Sequence, residues 1–221
     1  MWQNVSRLCA MRSCLCAFGL SSTLLCSASV GLAQQNGAKV ISETHESPME
    51  TVKNTLTPIF AILNDHNLKT DDKRHKIESI VASRFDYREM SRRTLASQWN
   101  RLTEAERTEF VELFKTFLAD RYADRIDAYA GEKVEYLGER LEGQYAEIRT
   151  KLISSKVDYP MDYRLMQKDG RWYAYDLIAD GVSLVRNYRS QFEKIIRTDS
   201  YGALVRRLKD RTLIGDLGSK S

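Results

Sequence analysis

The spacing of apolar residues along the chain changes twice. From Ser47 to Tyr129 they recur every three or four positions, from Lys133 to Ala179 every second position, and from Ser183 to Arg211 the helical period returns. The first helical stretch opens on Ser47-Pro48-Met49-Glu50, with a capping serine, a proline at the first helical position and a glutamate that closes a capping box. Its stripe is Val52, Leu56, Ile59, Phe60 and Leu63. A second helix is predicted from Asp71 to Arg84, with Ile77, Ile80 and Val81 inward. A third starts at Asp86, partnered by Glu89, and ends near Trp99. Thr103-Glu104-Ala105-Glu106 opens the longest, whose stripe runs from Phe110 through Phe114, Phe117 and Tyr122 to Tyr129.

Four strands are predicted over Val134 to Leu141, Tyr145 to Ile153, Tyr159 to Gln167 and Arg171 to Ala179. Glu142-Gly143 and Asp169-Gly170 read as two-residue hairpin loops, so the sheet is antiparallel. Gly138 marks a bulge that would curve it, and Pro160 sits at a strand start, where a missing donor costs least. The stretch Trp172 to Phe192 then turns from strand to helix. By alternation Trp172, Ala174 and Asp176 share one face and Tyr173, Tyr175 and Leu177 the other, so both faces carry large apolar groups. Asp180-Gly181 supplies a turn, Ser183 a cap, and Leu184, Val185, Tyr188, Phe192, Ile195 and Ile196 an apolar stripe. A short helix over Tyr201 to Arg211 follows. The class is α+β: a curved four-stranded antiparallel sheet covered by helices, with an apolar space between the layers.

The N-terminus changes this picture. Arg7 and Arg12 precede an apolar run from Cys14 to Leu32 that ends at Gly31 and Ala33, the pattern of a secretory signal cut after Ala33. The competing reading, a retained anchor, fits less well, because the run barely spans a bilayer. All four cysteines, Cys9, Cys14, Cys16 and Cys26, lie within 1–33. The mature chain would therefore have no disulfide and no thiolate metal site. Losing two arginines also lowers the formal charge from +4 to +2, too little to suggest nucleic acid. The expected organisation is signal 1–33, a flexible lead 34–46, one domain over 47–211 and a disordered tail 212–221.

Reactive constellations are mostly missing: the sequence has no HExxH, Walker or GxGxxG pattern, and His45, His66 and His75 lack metal-ligand spacing. Asp176 is the one candidate. Facing an apolar pocket it could serve as a general base, with Tyr163 or Tyr175, in a small-molecule isomerase or hydratase on the same scaffold. The structural alternative, which is preferred, has Asp176 pairing an arginine or capping a backbone group. Between Arg186 and Arg211 eight basic residues face three acids. A solvated helix face explains them, and a basic rim for an anionic partner is the functional alternative.

Four segments together resemble the MlaC, or toluene-tolerance auxiliary, family: FDYREMSRRTLASQW at Phe85, FVELFKTFLADRYADRIDAYAGEKVEY at Phe110, DYRLMQKDGRWYAYDL at Asp162 and DGVSLVRNYRSQFEKII at Asp180. The resemblance implies an NTF2-like shape enclosing a cavity for phospholipid acyl chains, periplasmic location, no catalysis, no cofactor and no metal. It further implies two partners that hand lipid over: an outer-membrane lipoprotein complex, and an inner-membrane ABC transporter with its substrate-binding ring. The lipid itself is a phospholipid or another amphiphile such as a hopanoid. For the lining the expectation is Phe114, Phe117, Tyr122, Tyr163, Leu165, Trp172, Tyr175, Tyr188 and Phe192. Two acyl chains carry about thirty methylenes at ~0.8 kcal/mol each, so exposing them would cost on the order of 25 kcal/mol. A carrier must hide nearly all of both tails.

Overall fold

The computed structural model describes residues 46–213, so the expected signal, residues 34–45 of the expected lead and residues 214–221 lie outside the described residues. The order is α1 (Pro48–Asn64), α2 (Thr70–Arg84), α3 (Tyr87–Leu95), a 3-10 segment (Ala96–Arg101), α4 (Glu104–Asp127), β1 (Lys133–Glu142), β2 (Tyr145–Ile153), β3 (Tyr159–Lys168), β4 (Arg171–Ala179), β5 (Val182–Ser183), α5 (Leu184–Thr198) and α6 (Tyr201–Lys209). No described helix is long and apolar enough to cross a membrane.

Caps set the helix starts. Ser47 and Thr103 form capping boxes with Glu50 and Glu106, while Asp86 and Ser183 accept from the backbone N–H of Glu89 and Arg186. The third helix does not run on to Trp99. It stops at Leu95 because Ala96 takes φ 50°, ψ −123°, a conformation that glycine adopts freely and a Cβ resists. Ala96→Gly is therefore expected to stabilise the fold by about 1 kcal/mol, since relieved strain outweighs the added chain entropy. A rise in the urea midpoint at unchanged slope would register it.

The sheet is antiparallel with order β1-β2-β3-β4-β5, a fifth strand beyond the four expected. The extra strand arises because Asp180 (φ 48°) and Gly181 (φ 75°) make a tight hairpin turn, which folds Val182 and Ser183 back onto Ala179 and Ile178. Asp169 and Gly170 turn in the same way. The first hairpin loop is Gly143-Gln144, one residue later than expected, because Glu142 still pairs with Tyr145.

Two bulges set the faces. One, near Gly138 as expected, leaves Leu137 without a partner on β2. The other, not anticipated, falls at Tyr175, which lies between the paired residues Ala174 and Asp176. An extra residue shifts the alternation by one. Asp176 consequently pairs with Arg164 and Leu177 with Tyr163, which overturns the expected grouping of Asp176 with Trp172 and of Leu177 with Tyr173.

The core has two parts. On one face of the sheet, α1 packs Val52 and Leu56 against Ala146, Ile148, Tyr163, Leu165, Trp172 and Ala174. The other part is built from α3, α4, α5 and α6 around Phe110, Phe114, Tyr188 and Phe192, and meets the sheet at Tyr175, with Met166 and Leu177 packed against it. Leu213, inside the tail expected to be disordered, is buried in this second part, so the ordered region reaches past 211. Glu46, from the expected flexible lead, accepts from Asn54 and pairs with Arg84 at 3.1 Å.

Candidate functional site

The face of the sheet under α1 is the candidate site. Along β2 and β3 every second residue points there, and the bulge at Tyr175 adds Leu177 from β4. Part of this face is only half-buried: Val134 and Tyr136 of β1, Met161 of β3 and Leu177 of β4 pack on the buried set without being sealed. The helix above it is uneven. Its first half buries Thr51, Val52, Thr55 and Leu56, whereas past Pro58 the residues Ile59, Phe60, Ile62 and Leu63 are all half-buried. Pro58 has no N–H to give the Asn54 carbonyl, so the helix is weakest where burial changes. Lys53 lies 5.3 Å over the Tyr136 ring, a cation at the border of the apolar face.

The nine expected lining residues divide between the two core parts. Tyr163, Leu165 and Trp172 lie on the face under α1. Burial pushes the Tyr163 hydroxyl well above its usual range, with Tyr136 and Asp162 nearby adding to the shift. Phe114, Phe117, Tyr188 and Phe192 lie among the helices and stack on one another: Phe114 to Phe192, Phe114 to Tyr188 and Phe117 to Tyr188 are each 5.5 Å between centroids, all edge to face. Tyr122 is half-buried beside this cluster. Tyr175 is covered by the Arg93 guanidinium, 4.0 Å from its ring centroid, and meets Tyr145 at 6.1 Å. One period-two reading could not separate these groups, because both sides of the sheet are apolar and a bulge exchanges them.

Residues not expected at the site are Val134, Tyr136, Met161, Leu177, Ile59 and Phe60. A signal for the last two was present: a proline within a helical stripe, followed by the run Ile59 to Leu63.

Asp176 is engaged by the fold. It is 2% exposed; its Oδ2 accepts from the Ser183 hydroxyl at 2.6 Å, its Oδ1 from the Val185 N–H at 3.0 Å, and Arg164 lies 3.5 Å away. Both structural roles foreseen for it, pairing an arginine and capping a backbone group, are realised. The isomerase constellation does not assemble with Tyr163, which pairs with Leu177 on the opposite face.

An open groove of about 460 Å³ lies elsewhere, between the start of α3 and the β3–β4 hairpin. Trp99 and Met166 contribute apolar surface, but the rest is polar, and most of its charges are paired: Arg92 with Glu89 at 2.7 Å, Lys168 with Asp86 at 3.5 Å, and Arg88 with Glu104 beside the groove at 2.8 Å. Such a lining does not suit hydrocarbon. Four of the eight basic residues from Arg186 to Arg211 are also paired, Arg189 to Glu193, Arg207 to Asp199, Lys209 to Glu109 and Arg211 to Asp120. A solvated face explains the run.

These features define a class: an α+β protein with an open antiparallel sheet, one apolar face of which lies under a proline-interrupted helix. Comparison with known proteins is consistent with that class. Residues 53–210 match the family model of the MlaC protein, and the chain belongs to the MlaC family. A curated relative, the intermembrane phospholipid transport system binding protein MlaC of Haemophilus influenzae, is 21% identical over 123 residues. That match covers 53% of this chain and only 58% of the relative. The phospholipid-binding protein from Ralstonia solanacearum, solved in complex with a phospholipid, shares the fold with a TM-score of 0.67 at 22% identity, over 73% of this chain and 94% of that one.

Proposed function

We propose that the protein is a periplasmic phospholipid carrier, exported through a signal at 1–33, which holds acyl chains between α1 and the sheet. The observation that carries this reading is the unevenly covered apolar face: its buried part gives α1 a fixed seat, and its half-buried part offers hydrocarbon contact if the segment after Pro58 moves aside. Membership of the MlaC family supports the substrate class, and the name of the Haemophilus relative supports transport between membranes.

On this reading the lining is Tyr163, Leu165 and Trp172 at the floor, with Tyr136, Met161, Leu177 and Phe60 around it. Phe114, Phe117, Tyr122, Tyr175, Tyr188 and Phe192 support it from the helical core. Tails that leave a bilayer for an equally apolar site gain almost nothing from the hydrophobic effect. Net direction must come from the partners, an outer-membrane lipoprotein complex and the substrate-binding ring of an inner-membrane ABC transporter, and the cycle would maintain outer-membrane lipid asymmetry.

Mass spectrometry of the purified protein, native and after lipid extraction, tests the reading. Wild type is expected to carry diacyl lipid. Phe60→Asp, which sets a carboxylate against the tails, is expected to lower occupancy about tenfold or more in a protein that still folds. Wild type that is empty from every preparation would refute the carrier reading. Undiminished lipid in Phe60→Asp would move the site away from α1.

A further inference from the structure

Strand β1 forms one border of the sheet, and among the described residues nothing pairs with its outer edge. Along this ten-residue strand the backbone groups that point away from β2 make a template for another strand. Two of its side chains, Leu137 and Leu141, are large, apolar and more than half exposed, at 51% and 58%.

The pattern on β1 is self-complementary. If the strand meets a second copy of itself, antiparallel about a two-fold axis between Leu137 and Gly138, the facing residues are Lys133 with Glu142, Val134 with Leu141, Glu135 with Arg140, Tyr136 with Glu139, and Leu137 with Gly138. Each charged pair of the outer face then joins opposite signs, and each occurs twice.

The faces agree as well. The pairing with β2 puts Val134, Tyr136, Glu139 and Leu141 on the side of α1, opposite Leu152, Thr150, Ile148 and Ala146. Lys133, Glu135, Arg140 and Glu142 are on the other side. Without the bulge at Leu137 a two-fold axis between adjacent residues would set opposite faces against each other; with it, every facing pair shares a face.

Other registers are rejected. Sliding by two residues one way sets Glu135 against Glu142, and the other way Lys133 against Arg140, so like charges meet. Sliding by one residue sets side chains of opposite faces against each other. Charges and bulges on an edge normally deter pairing; here they deter the neighbouring registers and leave this one complementary, which is how specific pairing is encoded.

We propose that β1 is a homodimer interface, across which two copies join their five-stranded sheets into one continuous sheet. The intramolecular pairs that would compete, Arg140 with Glu142 at 3.3 Å and Glu135 with Lys151 at 3.4 Å, are exposed and cost little to rearrange.

Sedimentation velocity over a wide range of protein concentration tests this. Wild type is expected to show a reversible monomer–dimer equilibrium. Arg140→Glu and Glu135→Arg, each setting two like-charged pairs across the axis, are each expected to weaken self-association about tenfold or more. An equimolar mixture of the two variants restores every opposite-sign contact and should dimerise as wild type does. Both changes are at the exposed edge, and circular dichroism will show that each variant is folded. Wild type that stays monomeric at the highest concentration, a dimer indifferent to both changes, or a mixture no stronger than its components would each overturn the proposal.

Discussion

Phe114→Ala is expected to destabilise the protein by about 3–5 kcal/mol, the range for removing a large aromatic side chain from a packed interior. Phe114 is fully buried, and its ring meets Phe110 at 5.9 Å, Phe117 at 6.5 Å, and Tyr188 and Phe192 at 5.5 Å, so the cavity left behind would be bounded on several sides by rings held in place by other contacts. Domains of this kind have only ~5–15 kcal/mol in hand, so the loss is a large part of the total. Urea unfolding followed by circular dichroism measures it as a lower midpoint. The same variant decides a question of role. A residue that lines the lipid would lose ligand with little loss of stability in delipidated protein; a residue of the helical core loses stability whether or not lipid is bound. Unchanged stability together with lost lipid would return Phe114 to the lining.

Asp176→Ala is expected to cost about 3 kcal/mol, for a different reason. The carboxylate is the acceptor for the Ser183 hydroxyl and the Val185 N–H, which open α5, and it is the partner of Arg164. Removing it leaves buried donors without an acceptor, which costs more than the bonds themselves contributed. Asp176→Asn, which keeps the shape and one carbonyl oxygen, should lose less. Ser183→Ala combined with Asp176→Ala should be less damaging than the two separate losses added, because both remove the same contact. Thermal unfolding of the three single variants and the double variant checks this ordering. Equal stability of Asp176→Ala and wild type would mean that the aspartate has a role other than joining β4 to α5.

Much of the local structure is legible without coordinates. Ser47 with Glu50, Thr103 with Glu106, Asp86 and Ser183 act within one turn of chain, so their caps appear where the pattern places them. The hairpin at Asp169-Gly170 is equally local, since it depends on two residues that tolerate positive φ. The break at Ala96 is not legible: alanine is a good helix former, yet it takes φ 50° between Leu95 and Trp99, both buried. The candidate site lies between these cases. Alternation puts Tyr163 and Leu165 on one face of their strand and Trp172 and Ala174 on one face of theirs, but it cannot say that the two sets share the face under α1 while Phe114 and Tyr188 belong to the helices behind.

By itself the sequence determined the order of elements, their caps, the antiparallel hairpins and the family, all of which depend on residues near one another or on motifs read directly. Only the tertiary structure decided which apolar stripe meets which. The extra residue at Tyr175 reverses the alternation on β4, turning Asp176 toward α5 and Leu177 toward the face under α1. Burial is a property of what lies across from a side chain, and hydrophobicity alone is the same on both sides of that strand.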